Sequence, residues 1–317
     1  MILLLTSDPR DDPDAADAGT ADWLAHLERA MPEETIHTVW TDYDPADIDI
    51  AVIVQPPPGS LAHLPNLVWI HSLWAGVETI LADETIPPDI PIVRLQDPHM
   101  ADTIAEAAAM HVLALHRKMP GYRALQNQHI WKDLGYTETS ETRIGILGLG
   151  LMGSAAARVL AMLGFQAMGW SRSTKAIEHV ESFAGDGGLA DMVSKSDILV
   201  NLLPLTPQTR GILNRELFAL LPPKANVVNL GRGPHLDDDD LLEALDSGRV
   251  GHAALDVFQE EPLPGDHPFW DHPSITITPH VAAPTGRLTG SRIVAANVRR
   301  YRADGNIPEA VDRRLSY

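Results

Sequence analysis

Residues 143–153 read RIGILGLGLMG, and the helix-like run LMGSAAARVLAMLG overlaps the end of that stretch. An apolar strand that ends in G-x-G-x-x-G and leads into a helix confines the chain to few α/β arrangements. Gly148 permits a tight turn, Gly150 lets backbone approach a pyrophosphate, and Gly153 lets helix and strand pack closely. Leu151 and Met152 occupy the first turn of the helix, where N–H groups without helical partners favour phosphate. Glycine turns are common, so the spacing alone is a weak sign. With the strand before it, the helix after it and a second strand at QAMGWS, it points to a bound dinucleotide.

The motif lies in the middle of a 317-residue chain, so another domain must precede it. Strand-like runs fit 2–6, 35–40, 50–55, 67–73 and 92–96, with a helical spacing at 20–31. The second alternation is clearer: TRIGILG, QAMGWS, DILVNLLP, ANVVNLG, GHAALDV and SITITPH read as strands with helical segments between most of them. The expected fold class is α/β, with two doubly wound parallel-sheet domains. Residues 101–131 read as a helix leaving the first domain, followed by an arm. Asp97-Pro98 and Ala283-Pro284 are plausible crossing points, because a residue before proline disfavours helix. A last helix at 286–303 is expected to return to the first domain. The predicted partition is therefore 1–98 plus 286–317 for one domain and 99–285 for the other.

Hydrophobic residues make up 44% and charged residues 21%, which suits a soluble globular protein. No apolar run is long enough to cross a bilayer, and the opening MILLLTSDPR lacks the basic start and long apolar stretch of a signal peptide. The chain has no cysteine, hence no disulfide, thiolate nucleophile or thiolate-bound metal, and a cytoplasmic setting is expected. A formal charge of −19 repels nucleic acid and anionic lipid, so neither is an expected partner. An anionic substrate would need local positive charge against that background.

At the usual offset from the glycines, a carboxylate holds the adenosine ribose hydroxyls. Here GWSRSTK places Ser171 at that position, followed by Arg172. A serine hydroxyl with Arg172, supported by Ser173, Thr174 and Lys175, suits a 2′-phosphate that an aspartate would repel. The competing reading is a pair of solvated loop charges. The offset favours NADP(H) over NAD(H).

Three further stretches end strands in the second half: NLGRG (229–233), DVFQEEPLP (256–264) and TPHVAAPTG (278–286). Open α/β sheets place ligands at strand carboxyl ends. Arg232 sits between two glycines, so backbone can approach a ligand on both sides, and a guanidinium forks onto a carboxylate and a neighbouring carbonyl oxygen. An imidazolium at His280 could donate the proton that carbonyl reduction requires, although a chain with 14 histidines makes any single one ordinary until its position marks it out. Glu261, before Pro262, is preferred over Glu260 as the carboxylate that favours the charged ring and orients it.

Taken together, RLQDPHM, GILGLGLMG, WSRS, NLLP, NLGRG, LDVFQEEPLP and TITPHVAA resemble the D-isomer-specific 2-hydroxyacid dehydrogenase family, over essentially the whole chain. Within it, the chain is most similar to bacterial members that reduce glyoxylate and hydroxypyruvate. The resemblance implies a discontinuous flavodoxin-like substrate domain, a Rossmann domain, an active site in the cleft between them, and a homodimer joined through about 101–131. It implies Arg232, Glu261 and His280 as the catalytic set. In WAGVE, Ala75 and Gly76 would offer N–H groups to a substrate carboxylate, and Trp74, Met100 and Trp270 would narrow the pocket. Leu203 and Pro204 would border the adenosine and Thr209 the phosphates. Leu230, Gly231 and Asp256 would reach the nicotinamide end, Asp256 at its carboxamide, and Ala282 would lie beside the ring. Trp131 would reach the partner's pocket or simply face the dimer interface. Two departures stand out. Ala282-Ala283 replaces the glycines common after the catalytic histidine, and Trp74 stands where smaller residues are usual.

The expected activity is NADPH-dependent reduction of a small 2-oxo acid, with glyoxylate and hydroxypyruvate as the best fits. Alternatives are a nucleotide sensor without turnover, a dehydrogenase for another 2-oxo acid, a 3-hydroxyacid dehydrogenase and a phosphoglycerate dehydrogenase. No metal is expected. DDDD at 237–240 reads as negative charge at a helix N-terminus. His111 and His116 fall about 140° apart around a helix at ~100° per residue, too far to share one ion.

Overall fold

The computed structural model describes residues 1–6, 13–54 and 56–313, with the backbone alone for 13–18. Gln55, the end of one expected strand, lies outside the described residues. The chain forms two compact units, Met1–His99 with Thr285–Tyr317, and Met100–Pro284.

In the first unit, β1 (Ile2–Leu5), α1 (Pro13–Ala30), β2 (Ile36–His37), β3 (Ile50–Ile53), β4 (Trp69–Ser72), α2 (Glu78–Leu81) and β5 (Ile92–Val93) follow in order. The strands form a parallel sheet in the order β2-β1-β3-β4-β5. Its strands are short, and the central β1 and β3 are apolar on both faces, as a sheet covered on both sides requires. Ile2 and Leu4 face one core, with Trp23 and Trp69, while Leu3 and Leu5 face the other, with Ile48 and Ile80. Burying four such side chains contributes roughly 6–12 kcal/mol, enough to hold a four-residue strand in place.

α3 (Pro98–His116) leads into the second unit, where α4 (Met119–Asn127), β6 (Arg143–Leu147), α5 (Leu151–Met162), β7 (Gln166–Ser171), β8 (Val180–Ala184), α6 (Gly185–Val193), β9 (Ile198–Asn201), α7 (Arg215–Leu220), β10 (Ala225–Asn229), α8 (Asp238–Asp246), β11 (Val250–Leu255) and β12 (Ile275–Ile277) follow. The parallel order is β12-β11-β10-β9-β6-β7-β8. Connections run outward in both directions from β6 and β9. The switch point therefore lies between these two strands, where such sheets bind ligands. Side chains again alternate: Ile144 and Ile146 face one core, Leu147 and Leu199 the other. The sequence did not lead us to expect β8. It is an edge strand, and Glu181 and Ser182 break its apolar run.

α9 (Arg287–Asp304) belongs to the first unit and packs on α1. Val294 and Val298 share a core with Trp23 and Leu27, and the Arg287 guanidinium lies 4.5 Å from the Trp23 ring centre. Asn297 of α9 donates to Nε2 of the buried His71 at 3.0 Å, while His71 Nδ1 donates to Ser72 O at 2.7 Å. Burial drives the His71 pKa down to about 4, and the bond to Ser72 opposes this only in part. The folded state therefore holds His71 neutral where the unfolded chain takes up a proton. The stability tied to His71 is complete above about pH 6.5, the ordinary histidine value, and is lost as pH falls towards 4. We expect a loss of roughly 3 kcal/mol across that window. Urea unfolding at stepped pH should show it, and a His71→Asn variant should lack that part of the slope.

Candidate active site

The glycine turn is built by different constraints at each position. Gly148 has φ +97°, in the left-handed region, and a methyl there would lie 2.9 Å from Leu202 O. A methyl on Gly153 would fall 1.7 Å from Gly148 O, so helix and turn touch backbone to backbone. Gly150 caps α5, and a methyl there would meet nothing within 4 Å. The open space at a helix N-terminus is the cradle a pyrophosphate needs. Leu151 is exposed, and Met152 is half-buried.

Ser171 ends β7 and donates from Oγ to Ser173 O at 2.8 Å. Arg172, Ser173 and Lys175 are exposed, and the Lys175 N–H donates to Ser182 Oγ at 2.8 Å, tying the loop to β8. The missed edge strand thus shapes the loop that carries the two cations. After β9, Leu203 is buried and Pro204 exposed. Thr209 Oγ1 donates to Pro204 O at 2.7 Å and accepts from Thr206 N at 2.8 Å, so it closes its own loop. That internal role differs from the phosphate contact expected for it.

Glu261 and His280 meet directly: His280 Nδ1 lies 2.7 Å from Glu261 Oε2. Glu261 Oε1 accepts from the Phe258 N–H at 2.9 Å. Burial pushes the Glu261 carboxyl up, but the bonds from His280 and Phe258 and the nearby Arg232 charge outweigh it and hold the pKa below its ordinary value. Glu261 is therefore the ionised partner of His280. Glu260 is exposed.

The loop bearing His280 hangs from one buried carboxylate. Asp256, expected from the sequence at the nicotinamide carboxamide, is 1% exposed. Its Oδ1 accepts from Thr278 Oγ1 at 2.7 Å and Val281 N at 2.9 Å, and its Oδ2 from Ala282 N at 2.9 Å. Its carbonyl accepts from His280 N at 2.8 Å. These bonds hold His280 at φ +52°, an uncommon setting for a side-chain-bearing residue.

Arg232 lies on the loop after β10, with its Nη1 donating to Gly231 O at 2.8 Å. Its flanking glycines make room for protein rather than for a ligand. A methyl on Gly231 would lie 2.7 Å from Asn201 Nδ2, and one on Gly233 1.8 Å from Phe258 O. The Gly233 contact brings the arginine loop against the backbone of the loop that holds Glu261. Gln259 adds a bond from Nε2 to Leu236 O at 2.6 Å. Buried Asn201, Asn229 and His235 also organise this loop, although the sequence reading did not single them out. Their visible signal is a polar residue closing each apolar strand in ILVN and NVVN.

The remaining expected residues separate by unit. Trp74, Ala75 and Gly76 form a half-buried turn of the first unit, pinned by Ser72 Oγ, which accepts from Trp74 N and donates to Trp74 O, both at 3.0 Å. In the second unit, Met100, Leu230, Gly231 and Ala282 are buried. Trp270 is half-exposed, and its indole donates to Pro264 O at 2.8 Å. The acidic tract caps α8: Asp237 accepts from Asp240 N at 3.0 Å, and Asp240 pairs with Arg215 at 3.1 Å. His111 and His116 are buried on α3, and His116 packs edge-on against Phe165, ring centres 5.0 Å apart.

The sequence profile of the D-isomer specific 2-hydroxyacid dehydrogenase, NAD binding domain, matches residues 109–282. The chain belongs to the D-isomer specific 2-hydroxyacid dehydrogenase family. It is 42% identical to glyoxylate/hydroxypyruvate reductase A of Serratia proteamaculans over 301 residues, covering 93% of this chain and 96% of that one. Among solved structures, a family member from Xanthobacter autotrophicus Py2 in complex with NADPH and MES has a TM-score of 0.91 and 36% identity, over 99% of both chains. An NADPH-dependent glyoxylate/hydroxypyruvate reductase from Sinorhizobium meliloti, in complex with NADP and sulfate, has a TM-score of 0.87 and 34% identity, over 100% of both. The dehydrogenase family thus accounts for both sheets and for the glycine turn.

The Asp256 geometry yields a test that does not depend on turnover. Asn at this position offers one acceptor oxygen and turns an N–H₂ towards backbone donors. Asp256→Asn should lower unfolding stability by about 1–3 kcal/mol. Hydrogen exchange at the Val281 and Ala282 amides should speed up more than elsewhere in the second unit. An exchange pattern unchanged in 278–283 would show that the carboxylate does not hold this loop.

Proposed function

We propose that this dehydrogenase reduces small 2-oxo acids with NADPH, glyoxylate and hydroxypyruvate being its substrates. The carrying observation is the 2.7 Å contact between His280 Nδ1 and Glu261 Oε2, with the Arg232 charge acting on the same carboxylate. The named activities of the relatives from Serratia and Sinorhizobium support the substrate class.

The residues at the glycine turn fit the cofactor, because Gly150 opens onto space at the N-terminus of α5. The α5 amides would hold the pyrophosphate, and Ser171, Arg172, Ser173 and Lys175 the 2′-phosphate. When bound, NADPH would supply the hydride for carbonyl reduction. Arg232 holds the substrate carboxylate and polarises the neighbouring carbonyl. Glu261 takes Nδ1 of His280, which leaves Nε2 to hold the proton and pass it to the carbonyl oxygen. Met100 and Trp270 limit the size of the substrate.

The same reading carries a cytoplasmic homodimer with a discontinuous substrate domain and a cofactor domain. Its interface is the segment after residue 100. Supporting it, Trp131 is fully exposed and borders an open apolar cleft with Tyr122, Leu125 and Ile130. No helix among the described residues is long and apolar enough to cross a membrane.

Nicotinamide absorbance loss tests the reading, with glyoxylate and hydroxypyruvate each paired with NADPH and NADH. Turnover should favour NADPH, and Arg172→Asp should cut that preference by roughly ten- to a hundredfold, the worth of a charge-assisted bond. Glu261→Gln should lower kcat by roughly 10²–10⁴. Tight NADPH binding without turnover would instead favour a sensor, and a preference for NADH would remove the role given to Arg172.

A further inference from the structure

His235 is fully buried on the loop after β10, three residues after Arg232. Its ring joins two loops. Nδ1 accepts from the backbone N–H of Arg232 at 3.0 Å and lies 3.0 Å from Asn201 Nδ2. Nε2 lies 3.2 Å from Pro204 O, the carbonyl that also receives the Thr209 hydroxyl. A backbone N–H can only donate, so Nδ1 is the bare nitrogen and Nε2 carries the hydrogen. The ring is therefore read by a donor on one side and an acceptor on the other, and only one tautomer satisfies both.

The surroundings remove the slack. Asn201 Nδ2 also donates to Asn229 Oδ1 at 2.9 Å, Asn229 Oδ1 accepts from Gly231 N at 3.2 Å, and Asn201 Oδ1 accepts from Leu203 N at 3.2 Å. Asn201 and Asn229 are fully buried and paired across neighbouring strands. A methyl on Gly231 would come within 2.9 Å of His235 Nδ1, so the loop has no room to settle elsewhere. Buried polar groups of this kind are costly to leave unpaired, which makes the arrangement all-or-none.

We infer that His235 is a positioning residue that couples the loop at 203–209, on the nucleotide side, to Arg232, on the substrate side. The inference rests on the role proposed above for Arg232 and on the adenosine contact that the family resemblance implies for Leu203 and Pro204. It assigns the two ring nitrogens separate consequences: Nδ1 sets the arginine, and Nε2 sets the Pro204 loop.

Two isosteric variants separate them. In His235→Asn the side-chain oxygen overlays Nδ1 and nothing replaces Nε2. The KM and Kd for NADPH should rise about tenfold while the KM for glyoxylate stays within about twofold. In His235→Gln the amide nitrogen overlays Nε2 and the acceptor for Arg232 is lost. The glyoxylate KM should rise about tenfold and kcat fall, with the NADPH Kd held within about twofold. Equal damage to both constants in both variants, or none in either, overturns the coupling role and leaves a structural histidine. An Arg232→Ala control tests the underlying reading separately. If it leaves the glyoxylate KM unchanged, the carboxylate is not held by Arg232, and the Pro204 arm of the inference still stands or falls on the NADPH Kd of His235→Asn. Wild-type protein labelled with ¹⁵N-histidine gives a readout that needs no variant to fold. His235 should show a protonated Nε2 and a bare Nδ1, and the opposite tautomer overturns the inference.

Discussion

Three polar side chains stand side by side where adjacent strands of the larger sheet end. Asn201 closes β9, Asn229 closes β10, and Asp256 follows β11, all essentially without solvent contact. Burying an amide or a carboxylate costs several kcal/mol unless its hydrogen bonds are replaced. Each of the three therefore recruits backbone donors from a loop at the same edge of the sheet. Asn201 takes the Leu203 amide, Asn229 the Gly231 amide, and Asp256 those of Val281 and Ala282. The loops after β9 and β10 are thereby tied to their own strands and the loop after β12 to the end of neighbouring β11, and Arg232 and His280 inherit that rigidity.

Most strands, and the meeting of Glu261 with His280, were legible because their signals are local. A run of apolar residues that ends in glycine, or a histidine after TITP, is visible without knowing what lies opposite. β8 was not legible, because Glu181 and Ser182 interrupt the apolar residues of Val180–Ala184 at a sheet edge and leave neither a run nor an alternation. The glycines around Arg232 were noticed for a different reason from the one that holds. Backbone approach was expected from a ligand, whereas it comes from Phe258 O, Asn201 and His235. Asp256 and Thr209 show the same limit. Both were expected as ligand contacts, and only the positions of Thr278, Val281, Ala282 and Pro204 reveal that protein groups also engage them.

The glycine turn illustrates how the two kinds of information combine. Three glycines in one motif look equivalent in sequence. In the structure Gly148 answers to a positive φ, Gly153 to contact with Gly148 O, and Gly150 to neither. Gly150 alone opens onto empty space, so it is the position where absence of a side chain serves something other than the fold. That distinction carries more weight for a bound pyrophosphate than the spacing does.

Charge poses a last apparent conflict, since a chain of net charge −19 is assigned an anionic cofactor and an anionic substrate. Screening removes most of it. At physiological ionic strength, exposed charges more than about 8 Å apart are largely hidden from one another. Local charge then decides binding, and its arrangement differs from the global balance. Elsewhere, arginines are matched to carboxylates: Arg302 with Glu34 and Asp49, Arg299 with Glu33, and Arg215 with Asp240 and Glu243. Near the site, the Arg232 charge favours ionised Glu261, whose carboxylate is already bonded to His280 and to the Phe258 amide. The acidic partner is thus occupied by His280. The surplus of acid governs the outer surface and solubility, while the chemistry depends on a few groups whose partners are fixed by hydrogen bonds.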